Sequence, residues 1–268
     1  MISDMKAKII IKMELLEVTL VSEFGAIVPE SMKFTVIDGG YKINLIYITK
    51  FINDICNKLS DLNITNIKNN IIFDVPKFHL SIESIRDLYS DKIDNLLKCE
   101  NTFKTESKLV GYGFKCGKTK PQRILYEKIC NDNKNFDFIK TKKYSTLKKE
   151  KDQFVSEINL KKKYKYFIDL EGHTYSTRSY AFLATKRVFF SSEHPKPMDW
   201  EKKYLKPWEN YIPVKHDLSD LEEKYKVIES KPWLYKKIVE NNISLMKTDL
   251  SKHTLMNELV NELLKEIK

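Results

Sequence analysis

The sequence predicts an α/β protein, a parallel β-sheet with helices packed on its faces. Three observations lead to this class. Short apolar runs rich in β-branched and aromatic residues alternate along the chain with segments whose apolar residues recur at helical spacing. The clearest strand is YKYFIDL (164–170), which passes through a Gly-containing loop into a helical stretch, STRSYAFLAT (176–185). The same strand–Gly turn–helix order occurs earlier, from LVGYGFK (109–115) to PQRILYEKIC (121–130).

Taken in order, MKFTVI (32–37) reads as a strand, and NLIYITKFINDICNKL (44–59) as a strand or loop running into an amphipathic helix. NNIIFDV (69–75) is a β-branched run stopped by Pro76, the mark of a buried strand. From Ser81 to Leu97 the apolar residues Ile82, Ile85, Tyr89, Ile93, Leu96 and Leu97 keep helical spacing, and Ser81 is placed to cap that helix. The polar segment KCENTFKTESK (98–108) interrupts the alternation and sets a domain boundary, with one domain over 1–108 and a second over 109–240. Residues 141–163 are Lys-heavy and read as a solvated helix with loops, while RVFFS (187–191) reads as another strand. Between 198 and 224, Trp200, Trp208 and Tyr211 gather around Pro207 and Pro213, and Asp217 is placed to cap a helix carrying Leu218, Leu221 and Tyr225. Aromatics in such a setting serve a core or stack on a base or sugar. Two helices close the chain. The last (251–267) puts Met256, Leu259, Val260, Leu263, Leu264 and Ile267 on one face and is expected to cross back onto the first domain.

Composition narrows the class further. With 268 residues, 42% hydrophobic and 31% charged, the chain has the make-up of a globular protein able to hold one large or two modest cores. No apolar run approaches the roughly 18 residues that span a bilayer. The opening MISDMKAKIIIKMELLEV breaks its apolar stretches with Lys and Glu, unlike a signal peptide, so a cytoplasmic setting is expected. The four cysteines (Cys56, Cys99, Cys116, Cys130) have neither CxxC nor zinc spacing and read as free thiols. A net charge of +10 invites a polyanion partner, yet only four of the 47 basic residues are Arg: Arg86, Arg123, Arg178 and Arg187. Base reading favours the planar Arg fork, so nucleic acid is not the expected partner. In a chain that writes Lys almost everywhere, an Arg marks a place where that fork is needed.

Two of those four fall in the strand–turn–helix units. In an open α/β sheet, ligands bind beyond the carboxyl ends of the strands, where helix N-termini offer free N–H groups to phosphate oxygens. In the 164–182 unit Ser176 can cap the helix or donate to a phosphate, and Arg178 in its first turn can reach the same spot with two donors. Without a ligand, the same residues make an ordinary loop and a surface Arg. The 113–130 unit repeats the pattern with Gly117, Thr119, Pro121 at the helix start and Arg123. It is not a Walker motif, because Tyr112 stands where GxxxxGK[ST] requires glycine.

YKYFIDLEGHTYSTRSYAFLATKRVFF, followed by LKPWENYIPVKHDLSDL (205–221), resembles glycosyltransferase family 90, over about residues 110–230. The resemblance implies a GT-B-like α/β fold: two Rossmann-like domains, the C-terminal one holding a UDP-sugar and the N-terminal one facing the acceptor across a cleft. It implies transfer of glucose or xylose to a glycan or protein hydroxyl with inversion, and no required metal or cofactor. Arg123, Ser176, Arg178, Gly117 and Thr119 then correspond to the diphosphate contacts, and Asp169, Glu171 and Gly172 to contacts with the nucleoside or sugar. FDVP (73–76) is similar to the family's Arg-Asp-aromatic-Pro, which makes Asp74 the base that takes the acceptor proton. Lys115 and Phe73 stand where the family usually has Arg, so a non-catalytic nucleotide- or glycan-binding member is the alternative.

Overall fold

The computed structural model describes residues 7–13, 16–34, 45–65, 68–74, 91–100, 105–113, 121–140, 157–170, 178–192 and 203–267. In chain order the elements are β1 (Lys8–Met13), β2 (Leu16–Glu23), β3 (Ala26–Phe34), α1 (Leu45–Asp61), β4 (Ile71–Asp74), α2 (Asp91–Lys98) and β5 (Glu106–Gly113). There follow α3 (Pro121–Asp132), β6 (Phe136–Lys140), α4 (Glu157–Lys163), β7 (Tyr164–Asp169), α5 (Arg178–Ala184) and β8 (Val188–Ser192). The chain closes with β9 (Ile212–Val214), α6 (Leu221–Glu229), α7 (Pro232–Lys247) and α8 (Lys252–Ile267). Among the described residues no helix is long and apolar enough to cross a membrane.

The chain divides into two compact units, Met1–Asp91 with Asp249–Lys268, and Lys92–Thr248. The division thus falls earlier than the polar segment at 98–108 that suggested a boundary. The reason is local: the buried Lys161 amine donates to the carbonyl oxygens of Leu96 (3.3 Å) and Cys99 (3.2 Å), which ties α2 to the second unit. At the other end α7 continues unbroken past 240, and its buried Asn242 is hydrogen-bonded to Asn210.

In the first unit the sheet order is β3-β2-β1-β4. Ile9 and Ile11 alternate inward on β1, as do Val18 and Leu20 on β2, and their buried faces share a core with Ile48, Phe51, Ile52 and Ile55 of α1. Leu255, Leu259, Val260 and Leu263 line the buried stripe of α8, which packs on α1 and β4. β1 pairs with β4 in parallel, but β1–β2 and β2–β3 are antiparallel. A wholly parallel first sheet was the reading of the strand–helix alternation. It fails because β2 and β3 are joined by Phe24 and Gly25 alone, and a parallel pair needs a crossover of about a dozen residues. Phe24 (φ 51°) and Gly25 (φ 79°) both take the left-handed conformation that a two-residue hairpin demands.

The second unit carries the predicted Rossmann-like α/β class without modification. Its five strands run in the order β6-β5-β7-β8-β9, every neighbouring pair parallel. The strands are buried on both faces, as such a sheet requires: Tyr166, Phe167 and Ile168 of β7 are each 1% exposed or less. One face packs on α3, α6 and α7 through Tyr126, Tyr225, Leu234 and Ile238. On the other face Phe167 stacks on Phe182 of α5, with ring centroids 5.0 Å apart. β5 has a neighbour on either side: the chain leaves β5 for β6, then returns past β5 to lay β7 along its far edge. The direction of winding therefore reverses between β5 and β7. That gap is the topological switch point, where an open α/β sheet leaves a crevice at its carboxyl ends.

Candidate active site

The carboxyl ends of β5 and β7 are held together by one side chain. Arg178, the first residue of α5, donates from Nη1 to the carbonyl oxygen of Tyr112 on β5, at 2.8 Å. Its Nη2 donates to the carbonyl oxygen of Leu170, the residue after β7, and lies 3.1 Å from Oδ1 of Asp169. The guanidinium also sits over the Tyr112 ring, 5.4 Å from its centroid. Asp169 is only 7% exposed, and a carboxylate removed from water to that degree is tolerated when a cation and hydrogen bonds compensate it. Its side chain emerges on the α5 face because side chains alternate along a strand and Phe167, two residues back, already packs on Phe182.

Glycine at 111 makes the close approach of α3 possible. A Cβ there would meet Cε1 of Tyr126 at 2.7 Å and Cδ1 of Leu170 at 2.9 Å. Tyr126 cannot give way easily, since it is fully buried and donates its hydroxyl to the Leu109 carbonyl at 2.8 Å. α3 thus starts close above the β5 end, with Pro121 at its first position and Arg123 buried in its first turn. Next to Arg123, Gln122 donates to the carbonyl oxygen of His216 at 3.1 Å, which fastens the segment after β9 to the first turn of α3.

That segment, Lys215–Asp220, is self-tied. Asp220 accepts from the Lys215 N–H (2.9 Å), Asp217 accepts from the Ser219 N–H (3.0 Å), and Leu218 adopts φ 56° between them. The Ser219 N–H holds the Asp217 carboxyl below its usual range. Asp217 does not cap the helix, as its position suggested. α6 starts at Leu221, Asp220 occupies the capping position, and its carboxylate is turned back to Lys215. Of the aromatics of this region, Tyr211 stacks on Phe189 and Trp208 is half-buried beneath the Lys224 ammonium, while Trp200 lies outside the described residues.

Of the residues expected to form the site, Asp169 and Arg178 are brought into contact, and Arg123 lies in the helix that follows the neighbouring strand. Gly117, Thr119, Glu171, Gly172 and Ser176 fall outside the described residues. Asp74 ends β4 in the first unit, paired in register with Lys12; its side chain is outside the described set. Sequence reasoning missed Tyr112 and Gln122. Tyr112 entered only as the residue that breaks a Walker motif. Its value comes from lying next to the last residue of the strand beside the switch point, which strand order reveals and sequence order does not.

Residues 90–266 match the model of glycosyl transferase family 90. The chain belongs to this family. Among curated proteins it is 31% identical over 98 residues to protein 035R of Invertebrate iridescent virus 3, and 28% identical over 109 residues to protein 179R of Invertebrate iridescent virus 6. Both are described as uncharacterized; the matches cover 36% and 38% of this chain. The family 90 chain spans only 9% of the length of either relative. Among solved structures, TarM is similar over 76% of this chain and 41% of its own, at 12% identity and a TM-score of 0.44. Sucrose-phosphate synthase from Thermosynechococcus elongatus is similar over 78% and 55%, at 8% identity and a TM-score of 0.41. The C-terminal domain of a glycosyl transferase group 1 family protein from Francisella tularensis is covered over 88% of its length, by 55% of this chain, at 13% identity and a TM-score of 0.38.

Proposed function

We propose that this chain is a metal-independent, inverting glycosyltransferase that moves glucose or xylose from a UDP-sugar to a hydroxyl of a glycan or protein. The observation that carries the reading is the Arg178 guanidinium at the switch point of a parallel sheet, in a chain of family 90. Departure of UDP from the sugar develops charge on the diphosphate. Where no metal neutralises that charge, fixed cations and backbone N–H groups must. In this reading Arg178 and Arg123, with Ser176, Gly117 and Thr119, hold the diphosphate, while Glu171 and Gly172 contact the nucleoside or sugar. Asp74 removes the proton of the acceptor hydroxyl as the acceptor oxygen attacks the anomeric carbon; the bond to UDP breaks, UDP leaves, and the sugar is bonded to the acceptor with inverted configuration.

The test is UDP release in EDTA, followed across UDP-glucose, UDP-xylose, UDP-galactose and UDP-N-acetylglucosamine. Slow hydrolysis of UDP-glucose or UDP-xylose, unaffected by the chelator, is the expected result. Binding of UDP without release from any donor would instead favour the non-catalytic reading that Lys115 and Phe73 raise. Release that stops with EDTA would overturn metal independence.

A further inference from the structure

We infer that Asp169 is a positioning residue: it acts through Arg178, fixing the guanidinium across the gap between β5 and β7, and does not itself contact the donor. This rests on the reading of Arg178 as a diphosphate ligand and revises the role that resemblance gave Asp169. The geometry argues for it in three ways. The carboxylate is nearly out of water and its Oδ1 lies 3.1 Å from Nη2 of Arg178, so the carboxylate is engaged by the guanidinium. The carbonyls of Tyr112 and Leu170 accept from the two different terminal nitrogens of Arg178, so the plane of the fork is set by the ends of two strands at once. The Tyr112 ring, 8% exposed and packed edge-on against Phe182 at 6.0 Å, lies under that plane and limits its tilt. A lysine has no planar fork and cannot serve two carbonyls and a carboxylate in fixed directions. A misplacement of about 1 Å in a charge-stabilising group costs on the order of a hundredfold in rate.

The experiment compares wild type, Asp169→Asn, Arg178→Lys and the double variant, by steady-state UDP-sugar hydrolysis and by calorimetric UDP binding. With positioning, Asp169→Asn lowers kcat about tenfold or more while UDP affinity and donor KM move less than about threefold. The double variant is then no slower than Arg178→Lys alone, because Asp169 has no effect left once its partner is gone. A direct donor contact predicts the opposite pattern: a rise in KM and Kd of about tenfold, multiplying with the Arg178→Lys loss. That result would overturn the inference, as would an unchanged kcat in Asp169→Asn. If Asp169→Asn does not fold, Asp169→Glu keeps the charge but displaces it by one methylene, and the same split between kcat and Kd is expected. Absence of UDP binding by the wild type would overturn the proposed function itself, a result distinct from any pattern among the variants.

Discussion

At the scale of single residues, the Arg178–Asp169 contact belongs to the structure and, in the proposed reading, to the chemistry, and the two are separable by the substitution chosen. Arg178→Ala leaves the Asp169 carboxylate buried without its cation, which costs about 3–5 kcal/mol. Urea unfolding is expected to show that loss, and a change under about 1 kcal/mol would mean that water reaches the carboxylate. Removal of Arg178 is thus a poor probe of donor binding, and Arg178→Lys a better one. Gly111 is a second sensitive position. The Cβ of Gly111→Ala has to displace a ring pinned by its own hydroxyl bond, so a loss of about 1–3 kcal/mol is expected from thermal denaturation. A neutral effect would mean that α3 slides along the sheet freely. Neither residue's role was legible in the sequence in full. Arg178 stood out because Arg is rare in this chain, but its partners lie 9 and 66 residues away and meet only once the strands are ordered.

At the scale of elements, the sequence was most readable where periodicity was strong and long. The strands at β5 and β7 and the helices α1, α3 and α8 fell where their patterns put them. β1 and β2 are not picked out by the sequence reading: Ile10 lies between the buried Ile9 and Ile11, Val21 follows Leu20, and Phe24–Gly25 lacks the Asn-Gly or Asp-Gly of a usual hairpin signal. Interruptions by Lys and Glu at the pleat's outward positions made these strands read as a mere break in an apolar stretch. β6 and β9 are five and three residues long, too short for periodicity to register. Besides its pairing with β8 and its buried Ile212 and Val214, so short an edge strand as β9 is held by side-chain bonding on its flank. Asn210 donates from its amide to Asn242 Oδ1 (3.0 Å), and Asn242 donates back to the Asn210 carbonyl (2.8 Å), both residues buried. Asn242→Leu leaves those two groups unsatisfied and is expected to cost about 1–3 kcal/mol. Hydrogen exchange in that variant should quicken in 205–214 before it does in β7. Equal acceleration throughout the sheet would assign Asn242 to general core packing instead.

At the scale of the molecule, the loss of protons shielded by burial is expected to lower stability at alkaline pH. Burial pushes the Cys56 thiol up to about 11 and the Cys130 thiol up to about 12, both from 9.0. The folded state therefore keeps protons that the unfolded chain releases, and their contribution is intact below about pH 9 and lost as pH climbs through the folded values. Lys161 works against this trend, because burial brings its ammonium down to about 8 from 10.5. The unfolded chain holds that proton longer, so this one group adds stability between about pH 8 and 10.5. Melting curves are expected to fall off above pH 9, and Lys161→Met to steepen the fall relative to wild type between those two values; an identical slope in both proteins would remove Lys161 from the balance. The central claim concerns the place of the donor: the crevice at the carboxyl ends of β5 and β7, with Arg178 between them. Hydrogen–deuterium exchange with and without UDP tests it most directly. The account predicts slowed exchange at the ends of β5 and β7 and in the first turns of α3 and α5, with the first unit's hairpins unchanged. Protection confined to any other face of the second unit, or none at saturating UDP, would contradict it.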